Sequence, residues 1–500
     1  MRIAGLDIGT TGCKLTVFDG SGRYLDSAYA AYPSSRGSGG HEMDAEALMD
    51  GVFSVMEAAG RKYPDIGGIG VTSFGETFVL TDRAGVPLHR VMLDTDRRGA
   101  EECRRIEEQL GGREIAAVTG LRPHEMYSLP KMMWMKKYQP EIFQKASHLF
   151  LMEDFVVFGL TGKAQIDYSL ASRTMAFDIT AMEWSGRIFE AAGIDCSLMS
   201  EPVPPGAPAG NITKAVSRRT GLSPETVIVS VSHDQVAAAV GAGVFDPSQA
   251  VDGAGTVECM TVVYDSLPDA GVMYAGNYAV VPYVIPGTYL TYAFSYTGGA
   301  LLQWCADTLA KKEKEEAVRD GISVNAYLEQ EYQRLRGTEP SGLLVLPHFA
   351  GAATPYMDTG SKGAIVGLTV GSTVSDMYRG CMEGVVYEMR LNMEHLQKSG
   401  FAGRMLKATG GGARSPVWMQ MKADILGLPV AALETADAGT VGSAMLTGIS
   451  AGCFRDLEDA ACHMVRQGTV YQPDRDRHDR YMKYYRQYRS LYQAVRPLVQ

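Results

Sequence analysis

A short apolar strand near the amino terminus, Ile3–Thr11 (IAGLDIGTT), runs into a turn of small and hydroxyl-bearing residues. Small residues let backbone N–H groups approach phosphate oxygens, and the hydroxyls of Thr10 and Thr11 add further donors. Asp7, just ahead of the turn, can hold Mg²⁺ through water, and Lys14 adds a positive charge shortly after it. The pattern predicts a phosphate-binding loop, although a strand followed by Gly-Thr-Thr is equally typical of an ordinary hairpin.

The same pattern recurs about 245 residues later, in Ala250–Glu258 (AVDGAGTVE). Gly255 and Thr256 offer the same kind of donors there, with the same structural alternative. A nucleotide bound between two halves of a protein needs phosphate donors from both halves. The repetition therefore favours nucleotide binding over two unrelated hairpins.

A carboxylate lies where a β-rich strand meets an alanine-rich helix, in Val231–Gln235 (VSHDQ). Asp234 at such a junction can accept the proton of a hydroxyl group during phosphoryl transfer. The alternative is that Asp234 is the N-cap of the helix. We interpret the preceding His233 as a structural residue.

Three glycines precede an amphipathic helix in Lys407–Gly427 (KATGGGARSPVWMQMKADILG). Glycines in this position would let the chain pass close to a flat base or a ribose, although a tight strand-to-helix turn explains them as well. No Walker A sequence, GxGxxG fingerprint, GxSxG elbow or HExxH pair occurs where it would make structural sense.

Strands and helices alternate in both halves, which predicts an α/β protein with two domains, each a sheet covered by helices. We place the boundary after an alanine-rich helix, giving domains of residues 1–244 and 245–500. The Pro/Gly-rich stretch Glu201–Asn211 is predicted to be a surface loop. The Tyr- and Arg-rich tail, from about His478 to Gln500, is predicted to be a closing helix.

Composition narrows the class of protein further. A chain of 500 residues with 46% hydrophobic and 21% charged residues can bury two cores, and its net charge of −10 argues against nucleic-acid or membrane partners. The most apolar later stretch, Tyr278–Trp304, is interrupted by prolines and glycines, so we predict no membrane span. Eight scattered cysteines without a CxxC pair indicate reduced thiols in a cytoplasmic protein.

Two longer motifs make the chain resemble the FGGY carbohydrate kinases over nearly its whole length. Met126–Lys137 (MYSLPKMMWMKK) is similar to the family's first signature, with Ser128, Lys131 and Trp134 in the expected places. Gly363–Glu383 (GAIVGLTVGSTVSDMYRGCME) is similar to the second signature, where Gly380 departs from the usual small Ala or Ser.

The resemblance implies two actin-like (ribonuclease H-like) ATPase domains with a catalytic cleft between them, and it implies ATP and Mg²⁺ as cofactors. Asp7 and Asp234 would then lie near Mg²⁺, with Asp234 as the catalytic base. The residues implied for the nucleotide are Thr10, Thr11, Lys14, Gly255, Thr256, Gly299, Gln303, Gly411 and Ser415. Ser415 replaces an Asn that is usual in glycerol kinases of this family.

The acceptor side departs from the best-known members of the family. Glu76, Asp234 and Gln235 are retained from the glycerol-binding set, and Asp94 is a further candidate for contact with a sugar. Glycerol kinases have an Arg where this chain has Gly75, and a Tyr where it has Met126. We therefore expect room for a small sugar or polyol of four to six carbons, with a ketose such as a pentulose favoured. A bulky residue from elsewhere, such as Phe74 or Phe78, would instead restore a small pocket.

Two other classes of function remain open at this point. A filament-forming relative would share the phosphate loops but lack the pair Glu76 and Asp234, and a sugar sensor without catalysis would usually have lost Asp7, Asp234 or one phosphate loop. A kinase acting on a non-sugar hydroxyl compound is the alternative within enzymes. Dimers are common in the family, so the resemblance also allows a homodimer.

Overall fold

The computed structural model describes residues 1–37, 40–434 and 437–499. The chain is a mixture of strands and helices, which are numbered separately from the amino terminus. The strands are β1 Arg2–Ile8, β2 Gly12–Asp19, β3 Tyr24–Ala31, β4 Ser34–Gly37, β5 Gly40–Met43, β6 Ile66–Ser73, β7 Phe78–Thr81, β8 Val91–Met92, β9 His148–Leu151, β10 Gln165–Asp167, β11 Phe177–Asp178, β12 Glu183–Trp184, β13 Glu201–Val203, β14 Ala207–Asn211, β15 Val227–His233, β16 Gln249–Ala254, β17 Glu258–Tyr264, β18 Ala279–Pro282, β19 Tyr289–Ser295, β20 Leu344–Leu346, β21 Ala364–Val366, β22 Met405–Thr409, β23 Val430–Leu433 and β24 Gln467–Tyr471.

Helices fill the connections between these strands, and three short 3₁₀ turns at Cys196–Leu198, Gly412–Arg414 and Arg496–Leu498 accompany them in the described ranges. The α-helices are α1 Ala45–Lys62, α2 Ala100–Leu110, α3 Gly112–Thr119, α4 Ser128–Tyr138, α5 Pro140–Lys145, α6 Met152–Thr161, α7 Tyr168–Ser172, α8 Gly186–Ala192, α9 Lys214–Thr220, α10 Asp234–Gly241, α11 Ala270–Ala275, α12 Gly299–Thr308, α13 Lys311–Arg319, α14 Val324–Arg336, α15 Val374–Gln397, α16 Pro416–Leu426, α17 Ala438–Ser450, α18 Leu457–Met464, α19 Arg475–Tyr488 and α20 Leu491–Val495.

The first half of the chain forms a sheet with the strand order β14-β15-β6-β1-β2-β3. β1, β2 and β3 are an antiparallel meander, whereas β6 and β15 run parallel to β1 on its other side. Residues 3–6 of β1 are fully buried because they are apolar or glycine on both faces, whereas the charged Arg2 and Asp7 are partly buried. The ends of the three parallel strands therefore meet at one edge of this sheet.

The second half forms a sheet with the strand order β18-β19-β17-β16-β22-β23-β24. Its core repeats the pattern of the first sheet: β16, β17 and β19 are antiparallel neighbours, and β22 and β23 run parallel to β16. The hairpins β1–β2 and β16–β17 are thus equivalent positions in the two halves. Each carries one of the two predicted phosphate loops.

Helix α17 joins the two halves because it lies between β23 and β24 of the second sheet in sequence but packs on the first sheet. A β-carbon added at Gly5 of β1 would lie 2.0 Å from the carbonyl oxygen of Thr440. α17 also crosses α10 so closely that a β-carbon at Gly241 or Gly442 would lie 1.9 Å from a facing carbonyl oxygen. Glycine is required at these contacts because any side chain would collide with backbone. We propose the domain division between residues 244 and 245, with α17 reaching back across it.

The prediction of a surface loop at Glu201–Asn211 is wrong. β14 is an edge strand that pairs antiparallel with β15, with Ala207 opposite Ser230 and Pro208 opposite Val229. An edge strand tolerates proline because one side of its backbone makes no ladder hydrogen bonds. The tail is helical as predicted, in α19 and α20. No helix within the described ranges is long and apolar enough to cross a membrane.

Candidate active site

The first predicted phosphate loop is the tight turn between β1 and β2. The amide of Gly9 donates to the carbonyl oxygen of Gly12 (2.9 Å), and the Tyr32 hydroxyl donates to the carbonyl oxygen of Gly9 (2.6 Å). Thr10 is partly exposed and Thr11 is exposed at the tip of the turn. The backbone of the loop is therefore held in place while its hydroxyl-bearing residues remain accessible to a ligand.

Asp7, at the end of β1, lies in an acidic environment. Burial, together with the carboxylates of Asp234 and Asp437, raises the pKa of Asp7 to about 8, against the lowering effect of Lys14. A β-carbon at Gly439 would lie 2.7 Å from Oδ2 of Asp7, so the start of α17 comes directly against this carboxyl group. The sequence analysis did not identify Asp437, which is separated by more than 400 residues from Asp7.

Lys14 lies directly opposite Asp7 in the β1–β2 ladder, and its Nζ forms an ion pair with Asp437. Together with Asp437 it lines a cavity of about 540 Å³ that is different from the one containing Gly255 and Thr256. Lys14 therefore lies outside the cavity that Gly255 and Thr256 line. Its positive charge acts on the carboxyl groups around Asp7.

The second predicted phosphate loop connects β16 to β17 and rests on the amino terminus of α12. The Thr256 carbonyl oxygen accepts from the amides of Gly298 and Ala300 (3.0 Å each), and the Gly255 carbonyl oxygen accepts from the amide of Gly299 (2.9 Å). A β-carbon at Gly299 would lie 2.8 Å from the Gly255 carbonyl oxygen, so glycine permits this contact. The loop and the helix are therefore positioned as one unit.

Six predicted residues line a single open cavity of about 750 Å³ in the second half, a volume that suits a nucleotide. One of them, Ser415, is the N-cap of α16, and its Oγ accepts from the Trp418 amide (3.0 Å). The same hydroxyl donates to Glu329 (2.8 Å). The six are Gly255, Thr256, Gly299, Gln303, Gly411 and Ser415. Asn325, Glu329, Tyr378 and Trp418 also line it and were not predicted.

Asp234 is the first residue of α10, and His233 occupies the N-cap position without a capping side-chain bond. The structure thus excludes the alternative that Asp234 caps this helix. Burial and the charge of Glu76 raise the pKa of Asp234 to about 7, against the lowering effects of Gln235 and of the charge of Arg173. Its Oδ1 is 3.3 Å from Nε2 of His233 and makes no hydrogen bond within the described ranges.

Glu76 lies beside Asp234 in the first half, in the left-handed region of backbone conformation at φ 64°. The Nε of Arg173 donates to Oε1 of Glu76 (2.6 Å), and Nη2 donates to the same oxygen. Arg173 is a buried arginine that the sequence analysis did not single out. Nothing in its local sequence distinguishes it from a surface arginine.

Lys131 of the first signature is fully buried, and its Nζ donates to the carbonyl oxygens of Leu93 and Met126 (2.8 Å each). It therefore holds together the backbone at Leu93 and at Met126, next to the predicted Asp94. Burial lowers the pKa of Lys131 to about 8, and Asp94 and Glu76 oppose that shift. Asp94 is half-buried, so it remains accessible for contact with a ligand.

A directly ligated metal centre is not formed by protein groups alone in the part of the chain that the structure describes. No group of three or more His, Cys, Asp or Glu side chains there could hold a metal ion. The charge of Asp234 raises the pKa of Asp7. Oδ1 of Asp234 is buried and makes no hydrogen bond within the described residues. This arrangement fits a cation held through water and through a bound ligand.

The two repeated sheets, with a loop from each at the cleft, define a protein with two actin-like (ribonuclease H-like) ATPase domains. Two family models match the chain: the N-terminal domain of the FGGY family of carbohydrate kinases over residues 2–241, and its C-terminal domain over residues 253–451. The chain belongs to the FGGY family of carbohydrate kinases. It is therefore a phosphotransferase with an alcohol group as acceptor.

Individual relatives agree with this assignment. The chain is 25% identical over 503 residues to a xylulose kinase of Staphylococcus epidermidis, covering 99% of this chain and 97% of the relative. It is 30% identical over 513 residues to a glycerol kinase of Halorhodospira halophila, covering 99% and 96%. Its fold is similar to the crystal structure of a xylulose kinase from Rhodospirillum rubrum, with a TM-score of 0.89, 24% identity and 100% of both chains covered.

Proposed function

We propose that this protein transfers the γ-phosphate of ATP to a hydroxyl group of a small sugar or polyol, with a ketose such as a pentulose as the acceptor. The observation that carries the proposal is the position of Asp234. This carboxyl group lies next to Asp7 of the first phosphate loop and next to Glu76 of the acceptor side. It also raises the pKa of Cys259, on the strand that follows the second phosphate loop.

Asp234 acts as the general base in this proposal. Its carboxylate takes the proton of the acceptor hydroxyl as the oxygen of that hydroxyl forms a bond to the γ-phosphorus, while the bond from phosphorus to the bridging oxygen of ADP breaks. Gln235 follows Asp234 on α10 and lowers the pKa of its carboxyl group, which favours the carboxylate. The products are the phosphorylated acceptor and ADP, and the proton remains on Asp234 until solvent removes it.

The nucleotide is held from both halves of the protein. Thr256 offers a hydroxyl donor at the phosphates, Gly255 and Gly299 let the backbone of the second loop come close to them, and Thr10 and Thr11 approach from the first half. Gln303, Gly411 and Ser415 line the remainder of the same cavity, where the ribose and base would lie. Mg²⁺, held through water by Asp7 and Asp234, would neutralise charge on the phosphates.

The acceptor is proposed to contact Glu76, Gln235 and Asp94. Two of the relatives above are named xylulose kinases, which supports a pentulose. The substitution at Gly75 does not by itself enlarge the pocket, because a β-carbon there would lie 2.9 Å from Cγ of Arg173. Neither Phe74 nor Phe78 fills this space, since both are packed in the core of the first half.

A panel of acceptors in a coupled ADP-release assay tests the proposal. Pentuloses, hexuloses, aldoses, polyols including glycerol, and non-sugar alcohols are compared by kcat/KM at saturating ATP. We expect a pentulose to have the highest value. A higher value for glycerol than for every larger sugar contradicts the acceptor class, and binding of a sugar without any release of ADP contradicts catalysis.

The pH dependence of kcat/KM should report the base. Because the pKa of Asp234 is raised to about 7, the reactive carboxylate is the minor form below that pH and the major form above it. We expect kcat/KM for the acceptor to rise about tenfold per pH unit below the inflection and to level off above it. Bound Mg²⁺ should move the inflection downward, because a nearby cation favours the carboxylate. A profile that falls with rising pH between 6 and 8 would contradict this role.

A further inference from the structure

Arg173 reaches into the acceptor side from the carboxyl end of α7. Its side chain is 6% exposed, and its guanidinium group lies 5.2 Å from the ring centre of Tyr127 and 5.3 Å from that of Tyr292. Both hydrogen bonds to Glu76 fall on Oε1. The second oxygen of that carboxylate, Oε2, is therefore the one left for a ligand.

Gly75 makes this arrangement sterically feasible. A β-carbon at position 75 would lie 2.9 Å from Cγ and 3.1 Å from Cβ of Arg173, and 3.1 Å from Cδ2 of His233. Cβ and Cγ are the first two side-chain atoms of Arg173, so moving them would also displace its guanidinium group. Gly75 thus leaves free the space that the side chain of Arg173 occupies.

The amino-terminal end of α7 is attached to β15, the strand that ends just before Asp234. Oδ1 of Asp167 accepts from the amide (2.7 Å) and from the hydroxyl (2.6 Å) of Ser169 as the N-cap of α7. The oxygen of that same hydroxyl accepts from the amide of His233 (2.9 Å), the residue before Asp234. Arg173, Glu76 and Asp234 are consequently held in one rigid frame.

We infer that Arg173 is a positioning residue for the acceptor: it holds one oxygen of Glu76 and presents the other to a hydroxyl of the sugar or polyol. This inference rests on the proposed function. A guanidinium group suits the task because its rigid planar fork fixes the carboxylate with two donors, whereas an ammonium group provides a point charge. The two aromatic rings restrict the guanidinium further.

Steady-state kinetics of five variants test the inference: Arg173→Met, Arg173→Lys, Glu76→Gln, the double variant Arg173→Met with Glu76→Gln, and Arg219→Met as a control. Arg219 is also a paired arginine, with Asp50 and Glu57 as partners, but it lies on the surface. We expect Arg173→Met to raise KM for the acceptor about 100-fold, with KM for ATP changed less than about twofold. Arg173→Lys should recover about tenfold of this loss, and Arg219→Met should match the wild type.

Non-additivity is the decisive feature. If Arg173 acts through Glu76, adding Arg173→Met to Glu76→Gln should raise KM for the acceptor by less than about threefold more. Effects of the two substitutions that multiply, or a loss in Arg173→Met that appears equally in KM for ATP, would overturn the inference. An unchanged KM for the acceptor in Arg173→Met would overturn it as well.

Thermal unfolding separates failure of this inference from failure of the proposed function. Each single substitution leaves one buried charge unpaired, so the double variant should have a higher midpoint than either single variant. A double variant with a lower midpoint than both single variants would contradict the stabilising ion pair between Arg173 and Glu76. A wild-type protein that phosphorylates no acceptor in the panel overturns the proposed function, and with it the positioning of an acceptor, even when the midpoints show the pair.

Discussion

Replacing Asp234 with asparagine is expected to lower kcat by about 10²–10⁴-fold, with the affinity for the acceptor changed much less. Asparagine keeps the size of the side chain but cannot take a proton from the acceptor hydroxyl. The substitution should break no hydrogen bond at Oδ1, because Oδ1 of Asp234 makes none within the described part of the chain. Single-turnover phosphoryl transfer and isothermal titration with the acceptor measure the two effects separately.

A matched control distinguishes loss of the base from a general effect of removing an acid. Asp65 is a surface carboxylate, 58% exposed and paired with Arg2, so Asp65→Asn should leave kcat within about twofold of the wild type. The residual activity of Asp234→Asn should also lack the inflection near pH 7. Turnover close to the wild-type value in a folded Asp234→Asn protein would remove Asp234 from the role of base.

Replacing Lys422 with methionine is expected to lower the free energy of unfolding by about 3–5 kcal/mol. Lys422 is fully buried on α16, and its Nζ forms ion pairs with Asp252 of β16 and Glu258 of β17, which flank the second phosphate loop. Methionine fills a similar volume but leaves two buried carboxylates without a counter-charge. Chemical denaturation followed by circular dichroism measures the loss.

Two further variants make this second experiment specific. Lys312 is 80% exposed on α13 and pairs with Glu316, so Lys312→Met should change the free energy of unfolding by less than about 1 kcal/mol. Adding Asp252→Asn and Glu258→Gln to Lys422→Met should recover part of the loss, because the unpaired charges are then removed. A Lys422→Met protein as stable as the Lys312→Met protein would contradict the structural role of the buried cluster.

The family and fold class could be predicted from the sequence because short-range patterns carry them. Each phosphate loop is a continuous segment in which strand, turn and hydroxyl-bearing residue follow one another, so its local conformation is encoded locally. The glycines of Lys407–Gly427 and the segment beginning at Gly299 have the same property. Six residues predicted in three separate segments line one cavity. Their roles in binding a nucleotide stay predictions until ligands are tested.

Some features depended on contacts that sequence spacing does not reveal. A Pro/Gly-rich stretch was predicted as a loop and is partly an edge strand, because its ladder partner β15 decides its conformation. Lys14, predicted to bind the nucleotide, forms an ion pair with Asp437, which precedes α17 near the other end of the chain. Electrostatic partners of this kind come together only after the sheets have packed.

The acceptor side shows most clearly which features the sequence determines and which features depend on the tertiary structure. The sequence by itself placed Asp234 where a strand meets a helix, because strand ends and helix starts are local features, and the resemblance to the family singled out Glu76. Only the tertiary structure decided that Arg173, about 100 residues beyond Glu76, takes the space over Gly75 and pairs with that glutamate. An arginine becomes a buried, fixed partner through the surfaces that enclose it, and those surfaces belong to segments distant in the chain.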